Sequence, residues 1–145
     1  MVKTEMRITA SPKQVFDVLA DGWSYAGWVV GASHIRDVDE GWPAEGTRIH
    51  HSVGPWPLQV EDVTRVARVV RGELIELEAR MWPVGAAKIR ITLTPAGPEA
   101  TDVVMEEEIT QGPAKVIPAA AQALVLKPRN AEALRRLGDI ARGRA

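Results

Sequence analysis

Apolar and polar residues alternate from Val2 to Thr9, with Val2, Thr4, Met6 and Ile8 on one side, which is the period of a half-buried strand. Ser11-Pro12-Lys13-Gln14 follows at once. It combines an N-cap hydroxyl, a proline at the first helical position and a glutamine three residues after the cap, so a helix is predicted there. Val15, Phe16, Val18 and Leu19 form its buried face, and Asp21-Gly22 ends it. The aromatic positions 23, 25 and 28 between Gly22 and Gly31 suit a second short helix or a packed loop.

From Ser33 the rhythm changes to short extended runs, punctuated at Asp39-Glu40-Gly41, Gly54-Pro55, Arg71-Gly72, Pro83 to Gly85 and Ala96-Gly97-Pro98. The spacing predicts about six strands in a meander. Ile75, Leu77, Ala79 and Met81 share one face against Glu76, Glu78 and Arg80, and Ile89, Ile91 and Leu93 repeat the pattern against Lys88, Arg90 and Thr92. Such one-sided strands belong to an antiparallel sheet with one face in water and the other against something apolar. The C-terminus supplies the partner. Ala133, Leu134, Leu137, Ile140 and Ala141 recur at helical spacing, opposite Glu132, Arg135, Arg136, Asp139 and Arg142. Pro128 predicts a kink or short break in that helix. The Ala-rich stretch from Val116 to Leu126 is shorter than a membrane span and reads as a buried segment.

Length and composition narrow the classes. A chain of 145 residues with no long linker is expected to be one domain, 1–145, with one core, and 46% hydrophobic against 26% charged residues is a globular balance. A net charge of −1 offers no field for a polyanion, so no nucleic-acid partner is expected. The absence of cysteine excludes disulfides, thiolate metal sites and Cys nucleophiles. With neither a signal-like N-terminus nor an apolar run of about 18 residues, the expectation is a cytoplasmic protein without integral membrane contact.

Ile8-Thr9-Ala10-Ser11-Pro12-Lys13-Gln14-Val15-Phe16-Asp17-Val18-Leu19-Ala20-Asp21 resembles the opening of bacterial polyketide cyclase/dehydrase-like proteins, in which a run I-x-A-S-P-x-x-V-(F/W)-x-x-(L/I)-x-D joins strand one to helix one. Trp28 before Gly31, and the run from Arg129-Asn130 to Leu137, are similar to the same group. These proteins belong to the START and birch-pollen-allergen (SRPBCC) superfamily. The resemblance implies an α+β helix-grip fold: a seven-stranded antiparallel sheet wrapped around a long C-terminal helix, with two short helices between strands one and two. It also implies a cavity between sheet and helix. Fold alone does not choose among the aromatase/cyclases and the lipid and hormone carriers that share it.

Candidate chemistry is sparse. His50-His51 cannot readily converge on one metal, because adjacent strand residues face opposite ways. With Ile49 and Val53 facing in, His51 faces in too, as a ligand contact or, more plainly, as a satisfied core histidine. Glu107 falls on the apolar face when Val103, Met105 and Ile109 point inward, which makes it a general-acid or anchor candidate, or else the partner of a cation at the cavity rim or on the C-terminal helix. Trp56 and Trp82, from loops at the same end of the meander, would frame the cavity mouth or plug it as core. Ile75, Leu77, Met81, Ile91 and Met105 are the expected apolar lining. Ala119, Ala120, Ala121 and Ala123 on the covering segment are expected to leave room above them. No phosphate loop, H-E-x-x-H or G-x-S-x-G occurs, so no cofactor is expected.

These features predict binding or carriage of a small hydrophobic or aromatic molecule such as a polyketide or lipid. Two alternatives stand beside it: an aromatase/cyclase-type enzyme that moves protons through Glu107 and His51, and an interaction, regulatory or toxin-like protein whose cavity is filled by its own side chains.

Overall fold

The computed structural model describes residues 1–30, 32–53, 60–81 and 85–143, with the side chains of Ser33, Val53, Val60, Glu61 and Met81 outside the description. The alternation that begins at Val2 produces β1 (Val2–Ile8). Helix α1 (Pro12–Leu19) starts on a complete capping box: Ser11 Oγ accepts from the Gln14 amide at 3.2 Å, and Gln14 Oε1 accepts from the Ser11 amide at 2.8 Å. The N-cap contact contributes about 1 kcal/mol, and with Pro12 at the first position it makes the turn out of β1 abrupt. Val15, Phe16, Val18 and Leu19 are all buried. A short 3-10 turn (Gly22–Ser24) then leads into the single turn of α2 (Tyr25–Trp28).

Six strands follow: β2 (Ala32–Val38), β3 (Arg48–Val53), β4 (Val60–Val70), β5 (Leu74–Met81), β6 (Gly85–Gly97) and β7 (Ala100–Gln111). The spatial order is β1-β7-β6-β5-β4-β3-β2, all antiparallel, so the first two strands in sequence form the two edges and α1 and α2 run between them. At the base of β6, Gly85 is obligatory. Its φ is +128°, and a Cβ there would lie 1.7 Å from the carbonyl oxygen of Gln111.

Residues in one cross-strand row lie side by side on one face. Val66, Leu77, Ile89, Glu107 and Val2 form one inward row, and Ile49, Thr64, Ala79, Ala87 and Ile109 form the next. The first row is apolar except for Glu107. The second holds the small side chains Thr64, Ala79 and Ala87. On the outer face Glu76 is buried although its strand phase points it to water: Arg90 Nε lies 2.9 Å from Oε1, and Arg68 and Lys88 approach to 4.0 Å.

A 3-10 turn (Pro113–Val116) leads into α3 (Ala119–Gly143), which runs through Pro128 without the expected break. Proline removes one hydrogen bond to the preceding turn. That turn, Leu124 and Val125, is exposed, so the freed carbonyl can be hydrated. Only the later part of α3 grips the sheet. Leu126, Asn130, Ala133, Leu134, Leu137, Gly138 and Ala141 are buried, against β1, β7, α1 and α2. The stretch from Val116 to Val125, expected to be buried, is not: Val116 is 86% and Leu124 80% exposed, and Ala119, Ala120 and Ala121 are exposed too. The alanines therefore do not roof a void against the sheet. The small inward side chains lie on the sheet itself, in the row of Thr64, Ala79 and Ala87.

Candidate functional site

The buried stripe of α3 brings Asn130 and Ala133 over the row that contains Glu107. Together with Tyr25, Trp28, Val29, Val30, Leu77, Ile89, Met105 and Arg129 they wall a cavity of about 20 Å³. That volume suits about one water-sized group.

Glu107 is 1% exposed. An isolated carboxylate so deep would cost several kcal/mol, and its compensation comes from α3, where Arg129 Nη1 stands 3.6 Å from Oε2. The guanidinium also donates to the Val30 carbonyl from Nε (3.2 Å) and Nη2 (3.1 Å), which ties α3 to the segment after α2. Among the described residues, neither Glu107 Oε2 nor Asn130 Nδ2 has a hydrogen-bond partner, although both are buried. Both residues line the cavity.

Tyr25 joins this wall to a second polar group. Its hydroxyl lies 2.9 Å from Thr64 Oγ1, which is also 2.9 Å from His51 Nε2. The Tyr25 and His51 rings stack at 5.4 Å, and Tyr25 meets Trp28 edge-on at 5.5 Å. Burial pushes the Tyr25 phenol up to about 12, against the pull of its Thr64 hydrogen bond and of Arg129. Burial lowers the His51 pKa, opposed by Asp62 and reinforced by Arg36 and His50, which favours the neutral ring.

The sequence-derived candidates are distributed unevenly. Glu107, Leu77 and Met105 stand on the cavity wall. His51 points inward but is not on that wall; it meets the site through Tyr25 and Thr64. His50 turns to the other side, where Nε2 lies 2.9 Å from Asp39 Oδ1. Ile75 and Ile91 are buried core in the row of Met105 and are not on that wall. Trp56, Trp82 and the Met81 side chain lie outside the described residues. Tyr25, Trp28, Arg129 and Asn130 were not among the candidates. Asn130 had a signal: it is four residues after Leu126 and four before Leu134, squarely within the apolar stripe. No group of three or more His, Asp or Glu side chains gathers as a metal site among the described residues.

A seven-stranded sheet closed by a C-terminal helix over a polar-tipped internal cavity defines a helix-grip protein, the architecture of the SRPBCC superfamily. The chain belongs to the polyketide cyclase / dehydrase and lipid transport family, whose model matches residues 1–142. Solved structures share the fold at low identity. The Zhui aromatase/cyclase from a Streptomyces species matches with a TM-score of 0.70 and 17% identity over 99% of this chain and 93% of its own. Ara h 8.0201 matches at 0.68 and 13% over 95% of each chain. A Chromobacterium violaceum protein matches at 0.67 and 20% over 96% of this chain and 95% of its own. No curated protein matches the sequence. Among the described residues, no helix is long and apolar enough to cross a membrane.

Proposed function

We propose that the protein binds a small, largely apolar molecule between the sheet and the C-terminal part of α3, with its polar end at Glu107, Arg129 and Asn130. One observation carries this reading. An otherwise apolar row of five strands is interrupted by a buried carboxylate whose Oε2 lacks a hydrogen-bond partner among the described residues, and Asn130, which lines the same cavity, has a buried Nδ2 in the same condition. Each unmatched buried polar atom costs about 1–3 kcal/mol, which a pure packing core would avoid with a methylene. The family's description as polyketide cyclase / dehydrase and lipid transport supports a guest of this kind.

At about 20 Å³ the cavity admits only the head of such a guest, so its apolar body enters by displacing wall residues. The wall segment from Tyr25 to Val30 contains a single helical turn, α2. Native mass spectrometry of the purified protein, with titration of the uncharged dye Nile red, tests the reading. Micromolar dye binding that weakens at least tenfold in Ala133→Leu, with circular dichroism unchanged, is expected. Dye binding equal in both proteins would overturn it and favour the interaction-protein reading, in which the cavity is filled by the chain's own side chains.

The hydrogen-bonded path from Tyr25 through Thr64 to His51 favours a second reading, an enzyme of the aromatase/cyclase type. It requires a substrate atom within about 3 Å of Glu107. A Glu107→Gln variant that retains guest binding but loses turnover of a poly-β-ketone would select it.

A further inference from the structure

We propose that the first half of α3, with the 3-10 turn before it, docks on an anionic lipid surface. The proposal concerns the outside of the molecule and does not depend on the binding reading above.

A helix that closes a core turns its charged residues to water. The second half of α3 obeys this rule, with Arg135, Arg136, Asp139 and Arg142 exposed on its outer side. The first half breaks it. Leu126 faces the protein and is buried, while Ala120, Ala121, Leu124 and Val125, which share one face at a spacing of three or four residues, are all exposed. Val116 and Ile117, exposed on the preceding turn, extend the apolar surface. That turn is fastened to the helix, because Gln122 Nε2 donates to the Ala114 carbonyl at 3.2 Å and to the Ile117 carbonyl at 2.8 Å. A cluster of aliphatic side chains held together in water marks a contact surface, where one exposed leucine would not.

Charge selects the occupant. No aspartate or glutamate occurs in the sequence between Glu108 and Glu132, whereas Lys115 and Lys127, both exposed, stand at the two ends of the apolar stretch. A second copy of this helix would set lysine against lysine whichever way it ran, and like charges across an interface oppose association. A protein partner surrounds an apolar centre with hydrogen bonds, but Gln122, the polar side chain of residues 116–126, already donates to the turn. A lipid surface needs no such bonds. Aliphatic side chains enter the boundary between headgroups and acyl chains, and lysines reach back to anionic headgroups along their own methylenes. The contact is peripheral, since among the described residues no helix is long and apolar enough to cross a membrane.

The closing experiment is flotation of the protein at low salt with phosphatidylcholine vesicles, with and without phosphatidylglycerol. The native protein should bind the mixed vesicles at least tenfold more tightly than phosphatidylcholine alone. Each lysine beside an anionic surface strengthens binding about fivefold, so Lys115→Gln combined with Lys127→Gln should weaken it at least tenfold. Leu124→Glu combined with Val125→Glu should do the same, with circular dichroism unchanged because both sites are exposed. Absence of flotation of the native protein, or flotation that neither pair of substitutions weakens, overturns the proposal. A dimer in light scattering that Leu124→Glu abolishes also overturns it, and gives this face to a second copy. Nile red titration keeps the two readings apart: both double variants should bind the dye within twofold of the native protein, and failure of the native protein to bind dye overturns the binding reading alone.

Discussion

Helix α3 holds the sheet with its second half only, and a pair of identical substitutions on that one helix tests this division. Leu137 is fully buried against the core, whereas Leu124, thirteen residues earlier, is 80% exposed. Leucine to alanine removes three carbons, and at about 0.8 kcal/mol per buried methylene the transfer loss at position 137 is roughly 2.4 kcal/mol. A residual cavity adds to that, so Leu137→Ala should cost about 3–4 kcal/mol, within the ~2–5 kcal/mol range for such sites. Leu124→Ala should stay within about 0.5 kcal/mol. Both changes exchange the same pair of good helix formers, so intrinsic propensity cancels in the comparison and packing remains. Urea unfolding followed by circular dichroism measures both: the midpoint should fall for Leu137→Ala alone, at unchanged slope. If Leu137→Ala costs less than about 1 kcal/mol, or Leu124→Ala more than about 2, the wrong half of the helix has been assigned to the grip.

Two further outcomes follow from single residues. Because burial lowers the His51 pKa below its ordinary 6.5, the unfolded chain binds the proton first; the neutral ring's contribution is present above about pH 6.5 and is lost as pH falls below it. Wild-type stability should therefore drop more steeply between pH 7 and 5 than that of His51→Gln, by up to about 1.4 kcal/mol per pH unit, and parallel pH profiles in urea unfolding would refute the assignment. Gly85→Ala should destabilise by about 3 kcal/mol or more, since its Cβ would collide with the Gln111 carbonyl at 1.7 Å in a backbone conformation closed to L-residues; a melting temperature within 2 °C of wild type would show that β6 and β7 do not meet as described.

Local physics made much of this molecule legible from the chain. The capping box at Ser11, the alternation in β1 and β5 to β7, and the 3.6-residue stripe from Ala133 to Ala141 each express a period or cap that neighbouring residues determine among themselves. The inward phase of Glu107 was readable in the same way, because its alternative would have buried more carboxylates. Strand phase does not report burial, however. Glu76 faces outward by phase and is nonetheless covered, because cations from β4 and β6 converge on it across the sheet.

Periodicity and capping thus settled the set of elements, their inward faces and a carboxylate on an apolar face. Tertiary structure decided which of these faces find a partner. Val116 to Val125 looked buried because it is apolar, but the closing helix meets the sheet only from Leu126 onward, and hydropathy carries no information about where a helix leaves a surface. The pairing of Glu107 with Arg129, and the meeting of Tyr25 with His51 over Thr64, join residues 13 to 39 positions apart on different elements. Such contacts depend on strand register and on the angle at which α3 crosses the sheet, which are set by the packing of the whole core and leave no periodic trace in the chain.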